Sequence, residues 1–307
     1  MMVIAVVIMS DREEPFLPAC LESVADAVDL VAINDNGSAE ENPNMEAVIS
    51  SRLYRAKKVR VIKSPFRGFG PARNKCLELV FDLRPKTPWV LMLDCDEVHT
   101  WGLTALTRGI LPRLSAKTGI VDVYARQFMR TFDYYTAVDI RRNFLFRLQP
   151  ETRWEGAVRE ELVGAEGKRI RLPYTFFHYG GAMHPRAVFD NLKTFARYGD
   201  PALRMEDLER LDPERFLDGE SGRVLNFKGT HPPLAEAVIR LLTQEREEDL
   251  RLFDSLVQKA RKDPRVRLKN ILSELDFSSR VKWSFLQSLF LFWNNNRALR
   301  SLGELFS

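Results

Sequence analysis

The sequence predicts an α/β fold, a mostly parallel sheet sandwiched by helices, followed by a helical C-terminal region. Two observations lead there. Short apolar runs alternate with amphipathic segments through the first hundred residues, and the pattern turns charged and helical beyond about residue 186. Residues 3–8 form the first strand, and 15–24 carry Leu17, Leu21 and Val24 at helical spacing. Residues 30–33 are a second strand, running into the polar turn Asn34-Asp35-Asn36-Gly37-Ser38, and 59–63 are a third. Ala72, Cys76, Leu79 and Val80 then mark a helix face, and 89–93 form a fourth, wholly apolar strand. Such runs separated by helices indicate a sheet covered on both faces, with its ligand site at the carboxyl ends of the strands.

Further strands are expected at 120–128 and 144–148. Pro232-Pro233 opens a long helix whose buried face is read as Leu234, Val238, Leu241 and Leu242, with Pro264 beyond its end. The expected division is a catalytic domain over residues 1–190 and a helical region over 191–307.

Composition narrows the class. The 307 residues are 45% apolar and 29% charged, which excludes global disorder. A net charge of +4 is too small by itself to call for nucleic acid, although it suits a polyanionic or membrane-surface partner. Cys20, Cys76 and Cys95 form no Cys-x-x-Cys pair and are odd in number, so a reducing cytoplasm is expected. The opening apolar run lacks a basic flank and reads as a buried strand rather than a signal peptide. Residues 283–293 are too short an apolar stretch to span a bilayer.

Three motifs carry chemistry. Asp94-Cys95-Asp96-Glu97 follows an apolar strand; if extended geometry persists, Asp94 and Asp96 share one face. Paired carboxylates suit Mg²⁺ or Mn²⁺, hard cations that hold oxygen ligands and bridge phosphates. Asp35-Asn36-Gly37-Ser38 is a plain turn or, functionally, a place for Asp35 to meet the imide edge of a uracil-like base. Gly68-Phe69-Gly70-Pro71-Ala72-Arg73-Asn74 opens a helix, where glycines admit a ligand and Arg73 faces base or phosphate.

These motifs fall in one order, each at the end of a successive strand. With the opening "VIAVVIMSDREEPFLPACLESV" they resemble the inverting family 2 glycosyltransferases of GT-A fold, closest in style to lipopolysaccharide-core-type bacterial members. The resemblance implies that Asp35 and Arg73 hold the nucleotide, Asp94 the ribose or metal, and Asp96 the metal, Mn²⁺ or Mg²⁺. "NFLFRLQPETRWEGAVREELVG" resembles the family segment ending in Val-His-Glu; Glu160 matches its glutamate, the general-base candidate. Arg159 stands where histidine is usual and Glu161 follows at once, so both carboxylates are candidates. "LPYTFFHYGG" resembles a His-Tyr-Gly segment and puts His178 near the metal or diphosphate, although a lone histidine is more often a hydrogen-bonded core residue. The likeness covers about residues 2–185.

The implied donor is a UDP- or dTDP-type nucleoside-diphosphate sugar. The implied acceptor is a glycan, a lipid-linked sugar or another hydroxyl polymer; modified DNA is a further candidate because it would unite the basic residues with transferase chemistry. A nucleotidyltransferase is the competing enzyme class, but acids after strand one would repel a triphosphate. A nucleic-acid-binding protein would use Arg126, Arg130, Arg141 and Arg142. Residues 228–233 are placed on the acceptor side by position alone. Residues 281–300, rich in Trp, Phe and Leu, are read as core, as a subunit interface of a homo-oligomer, or as a helix on the inner face of a membrane.

Overall fold

In a computed structural model, which describes residues 1–10, 12–37, 42–86, 88–212, 221, 224–266 and 270, the first strand is buried on both sides. Along β1 (Val3–Met9), Val3, Ala5, Val7 and Met9 join one core with Leu17, Leu21 and Val24 of α1 (Leu17–Val24). Ile4 and Val6 face the other way, onto Cys76, Leu77 and Val80 of α4 (Phe69–Asp82). The period-two alternation therefore feeds two cores, which is why the strand is apolar throughout.

β2 (Leu30–Asp35), β3 (Val59–Lys63) and β4 (Trp89–Leu93) pair in parallel with β1 or with each other. The short helices α2 (Met45–Ser50) and α3 (Arg52–Arg55) connect β2 to β3. β2 runs on past residue 33, so Asp35 is itself its last residue. β5 (Glu97–Val98) and α5 (Trp101–Thr104) follow, and α5 continues as a π turn over Ala105–Ile110. Next come β6 (Thr118–Met129), β7 (Tyr134–Arg147), the hairpin of β8 (Arg153–Glu155) and β9 (Glu161–Val163), and β10 (Lys168–Gly181).

Among the described residues the large sheet runs β3-β2-β1-β4-β7-β6-β10-β5, with β11 (Leu225–Asn226) added on β7. Its first four strands are parallel; β7 is antiparallel to both β4 and β6. This is the expected GT-A-type architecture, a curled α/β sheet flanked by helices.

The C-terminal half departs from expectation in three respects. The boundary expected after residue 190 falls inside α6 (Pro185–Arg197), and β11 pairs with Tyr134 and Tyr135 of the main sheet. The helix opened by Pro233 breaks into α8 (Pro233–Glu245) and α9 (Glu247–Ala260), after the short α7 (Met205–Glu209). Arg246 leaves helical geometry at the break and donates to the buried carbonyls of Ala182 and Arg130 at 2.6 and 2.9 Å. Buried carbonyls need donors, which favours that break. The buried face of α8 is also rotated from the expected one. Ala235, Val238, Ile239 and Leu242 pack on the cluster of Phe16, Phe128, Phe132 and Tyr179, whereas Leu234 and Leu241 are 43% and 55% exposed. Ala235 is small enough to bring the helix close. Among the described residues no helix is long and apolar enough to cross a membrane. The stretch 281–300 lies outside the described residues.

Candidate active site

The carboxyl ends of β1 and β4 open on a cavity of about 820 Å³. Ser10, Glu14, Arg73, Asp94, Asp96, Arg141, Glu160 and His178 line one side; Leu192, Phe195, Tyr198 and Leu203, on and after α6, line the other.

β4 ends at Leu93, and Asp94-Cys95-Asp96 forms a turn closed by the Glu97 N–H, which donates to the Asp94 carbonyl at 3.1 Å. The expectation that Asp94 and Asp96 share the face of an extended strand is thus corrected, because the chain reverses between them. The turn brings Glu97 back beneath Asp94, whose backbone N–H donates to Glu97 Oε2 at 3.2 Å. Asp96 is directed to His178, with Oδ1 3.1 Å from Nε2. Gly180 makes room for it: a Cβ there would lie 2.3 Å from Asp96 Oδ2.

Arg73 sits in the first turns of α4 with its side chain only 5% exposed. Its Nε donates to Glu160 at 2.7 Å and its Nη2 to Asp94 at 2.9 Å. Arg141 extends the series, donating from Nη2 to the other Asp94 oxygen at 2.5 Å, with Glu97 Oε1 3.1 Å away. The result is an unbroken line of alternating charges, Glu160–Arg73–Asp94–Arg141–Glu97.

The glycines of the Gly-Phe-Gly-Pro start serve a different end from ligand approach. A Cβ on Gly70 would lie 2.1 Å from the Gly156 carbonyl, and Gly68, at φ 115°, faces Ala157. They admit the 156–160 segment against α4, which sets Glu160 beside Arg73. Arg159, at φ 49°, projects from that segment and donates to Asp200 beyond α6 at 2.8 Å.

Of the residues singled out from sequence, Arg73, Asp94, Asp96, Glu160 and His178 meet in this cavity. Asp35 does not line it; its Oδ1 accepts from the Gly37 N–H and from Asn42 Nδ2, holding the loop, while Asn36 lines the cavity. Glu161 is exposed on β9, because the hairpin turns successive side chains to opposite sides. The arginines suggested for nucleic acid do not form one surface: Arg126 lies over the rings of Tyr135, Phe177 and Phe227, Arg130 is buried against Asp249, and Arg141 is in the cavity.

Charge placement perturbs the titrating groups. Burial opposes ionisation of Asp94, but Arg141 and then Arg73 outweigh it and hold the carboxyl far below the usual range. For His178, burial works against the imidazolium, yet Asp96, Glu97 and Asp94 raise its pKa to about 9. Glu14, in the loop between β1 and α1, is raised to about 7, first by burial and then by Asp96.

A divalent cation fits the donor set. Ligand atoms of Asp94, Glu97 and His178 lie within 4.8 Å of one another. Asp96 Oδ1 and Glu97 Oε1 are buried oxygens that each lie 3.1 Å from a cationic group, His178 Nε2 and Arg141 Nη2, without hydrogen-bond geometry. The expected trio is Asp94, Asp96 and His178; the turn also brings Glu97 into a group with Asp94 and His178, and Asp96 lies beside that group through its contact with His178. Glu14, Glu97, Arg141 and the wall from α6 are the site residues that motif reading did not assign.

The sequence model of the glycosyl transferase family 2 matches residues 5–148, from β1 to just past β7. Residues 5–148 are therefore similar to a glycosyltransferase family 2 domain. Residues 1–349 of S. aureus TarS in complex with UDP-GlcNAc are similar in structure, at 13% identity and TM-score 0.37, over 94% of this chain and 92% of that one. The same fragment in a second crystal structure is similar at 12% identity and TM-score 0.35, over 85% and 92% of the two chains. No curated protein sequence matches the chain. The glycosyltransferase match contains Arg73, Asp94, Glu97 and Arg141; Glu160, His178 and the α6 wall lie beyond it.

Proposed function

We propose that the protein is a glycosyltransferase that moves a sugar from a UDP- or dTDP-type nucleoside-diphosphate sugar to an acceptor hydroxyl, with inversion and with the help of Mn²⁺ or Mg²⁺. The observation that carries the reading is the shared cavity of Glu160, Arg73 and the Asp94–Glu97 turn. A carboxylate, a guanidinium and an acidic turn lining one cavity support a reading in which a base, a donor-binding group and a cation site act on one substrate.

In the proposed reaction Glu160 takes the proton of the acceptor hydroxyl as its oxygen attacks the anomeric carbon. The bond from that carbon to the diphosphate oxygen breaks, and the nucleoside diphosphate leaves. One displacement inverts the anomeric centre, so no covalent nucleophile on the protein is needed. Arg73 holds Glu160 in place, and its Nη1, buried without a hydrogen-bond partner, is a donor for the nucleotide. Asp94, Glu97 and His178, with Asp96 beside them, would hold the divalent cation, which would supply positive charge to neutralise the leaving diphosphate. The acceptor, a glycan, lipid-linked sugar or other hydroxyl polymer, enters along α6 past Tyr198 and Arg197. Action at the inner face of the membrane is part of the same reading.

Calorimetric titration with UDP, dTDP and UDP-GlcNAc, with and without Mn²⁺, tests it. Cation-dependent binding of a uridine or deoxythymidine diphosphate is expected; no binding of any of them under either condition would overturn the reading.

A further inference from the structure

The line of alternating charges contains a cation of its own at the place where a divalent ion would go. Arg141 Nη2 lies 2.5 Å from Asp94 Oδ2 and 3.1 Å from Glu97 Oε1, between two of the three residues whose ligand atoms cluster within 4.8 Å. A Mg²⁺ ion sits about 2.0–2.1 Å from each carboxylate oxygen it binds. An ion on those same oxygens would press against Nη2, and two positive groups in one gap repel each other.

The hold of Arg141 is also incomplete. Its Nε is buried without a partner, and Glu97 Oε1, although close, lacks hydrogen-bond geometry toward it. Its side chain is 22% exposed, on the cavity side, so it has room to turn out.

The strand explains why the side chain arrives there. Pairing of β6 with β7 slips between Val121↔Leu145 and Val123↔Arg141, which leaves extra residues on β7. Asn143 takes φ 55° in that irregularity, and Asp122 pins it by accepting from the Asn143 N–H at 3.0 Å. Irregularities of this kind re-aim side chains beside active sites.

We propose that Arg141 is an exchangeable internal cation: it neutralises Asp94 and Glu97 in the free protein, yields them to a divalent ion, and then offers its guanidinium to the donor's diphosphate. The proposal rests on the cation-assisted reading above. It makes the site self-neutralised when empty, and it couples cation entry to donor binding, because a displaced guanidinium gains a new anionic partner only when the diphosphate is present.

The test is Mn²⁺ binding to the full-length protein without donor, followed by calorimetry and by loss of the free-ion electron paramagnetic resonance signal. Arg141→Gln is expected to bind Mn²⁺ at least about tenfold more tightly than wild type, since its internal competitor is gone. Arg142→Gln, an exposed neighbour, is expected to match wild type. With Mn²⁺ saturating, Arg141→Gln is expected to bind UDP about tenfold more weakly, because the fork that meets the diphosphate is lost. Equal Mn²⁺ affinity in wild type and Arg141→Gln overturns the exchange while leaving the cation site standing. If neither protein binds Mn²⁺, with UDP or without, the cation reading falls and the exchange with it. Where Arg141→Gln does not fold, Arg141→Lys decides: its single ammonium bridges less well, so tighter Mn²⁺ binding than wild type supports the exchange and no tightening overturns it.

Discussion

Arg73 donates through Nε to Glu160 at 2.7 Å, so the proposed base is held by a buried guanidinium that also holds Asp94. Glu160→Gln keeps the shape and a carbonyl acceptor for that N–H but removes the base. We expect kcat to fall by about 10²–10⁴ while UDP binding persists. The check is steady-state kinetics beside calorimetry; the same loss from Glu161→Gln instead would move the base by one residue.

Arg73→Met tests the line of charges as structure. It leaves Glu160 without its partner, though Asp94 keeps Arg141. Removing one member of a buried pair costs about 3–5 kcal/mol, read from urea denaturation. Combining it with Glu160→Gln is expected to recover part of that loss, a coupling of about 1 kcal/mol or more in a double-mutant cycle.

Gly180→Ala sets a methyl group against Asp96. At 2.3 Å from Oδ2 the contact cannot stand, and either the Asp96 carboxylate or the β10 end must shift. Weaker Mn²⁺ binding with an unchanged far-ultraviolet circular dichroism spectrum is the expected outcome. Unaltered Mn²⁺ affinity would remove Asp96 from the cation site.

The pH dependence of stability follows from two raised pKa values. Glu14, at about 7 in the fold against 4.5, binds its proton more tightly when folded. Its contribution is complete below about 4.5 and is lost as pH rises through about 7, a change of roughly 3 kcal/mol. His178, at about 9 against 6.5, acts in the same direction one window higher, complete below 6.5 and lost through about 9. Urea midpoints in chelator-treated buffers should therefore fall from pH 5 to pH 9. Glu14→Gln should flatten the lower part of that slope and leave the upper part.

The fold was largely legible because its first half follows a simple pattern: continuous apolar runs as short as Trp89–Leu93, bounded by turn residues, fit strands buried on both faces. Arg73, Asp94, Asp96, Glu160 and His178 were legible for a related reason, since each lies at or near an element's end. Glu97 was not assigned, because a turn rather than continued extension decides where it faces. Arg141 was read as surface charge because only the slip between β6 and β7 aims it inward. The wall from α6 depends on packing between distant segments, such as the Tyr198 hydroxyl donating to the Phe66 carbonyl, and no local pattern encodes that. The face of α8 was misassigned because four apolar positions at helical spacing admit more than one stripe, and Ala235 carries little hydropathic signal.

β11 has a consequence for the order in which the molecule can be made. Its two residues cover Tyr134 and Tyr135 at the start of β7, and α8 then covers the aromatic rings beside them. On the ribosome, the parallel strands β1 to β3 have all their strand partners within the first hundred residues and can assemble early. The beginning of β7 must wait about ninety residues longer, with backbone groups and aromatic side chains still uncovered. Newly made chains are therefore most dependent on chaperones, and most open to proteases, while residues 135–225 are being synthesised.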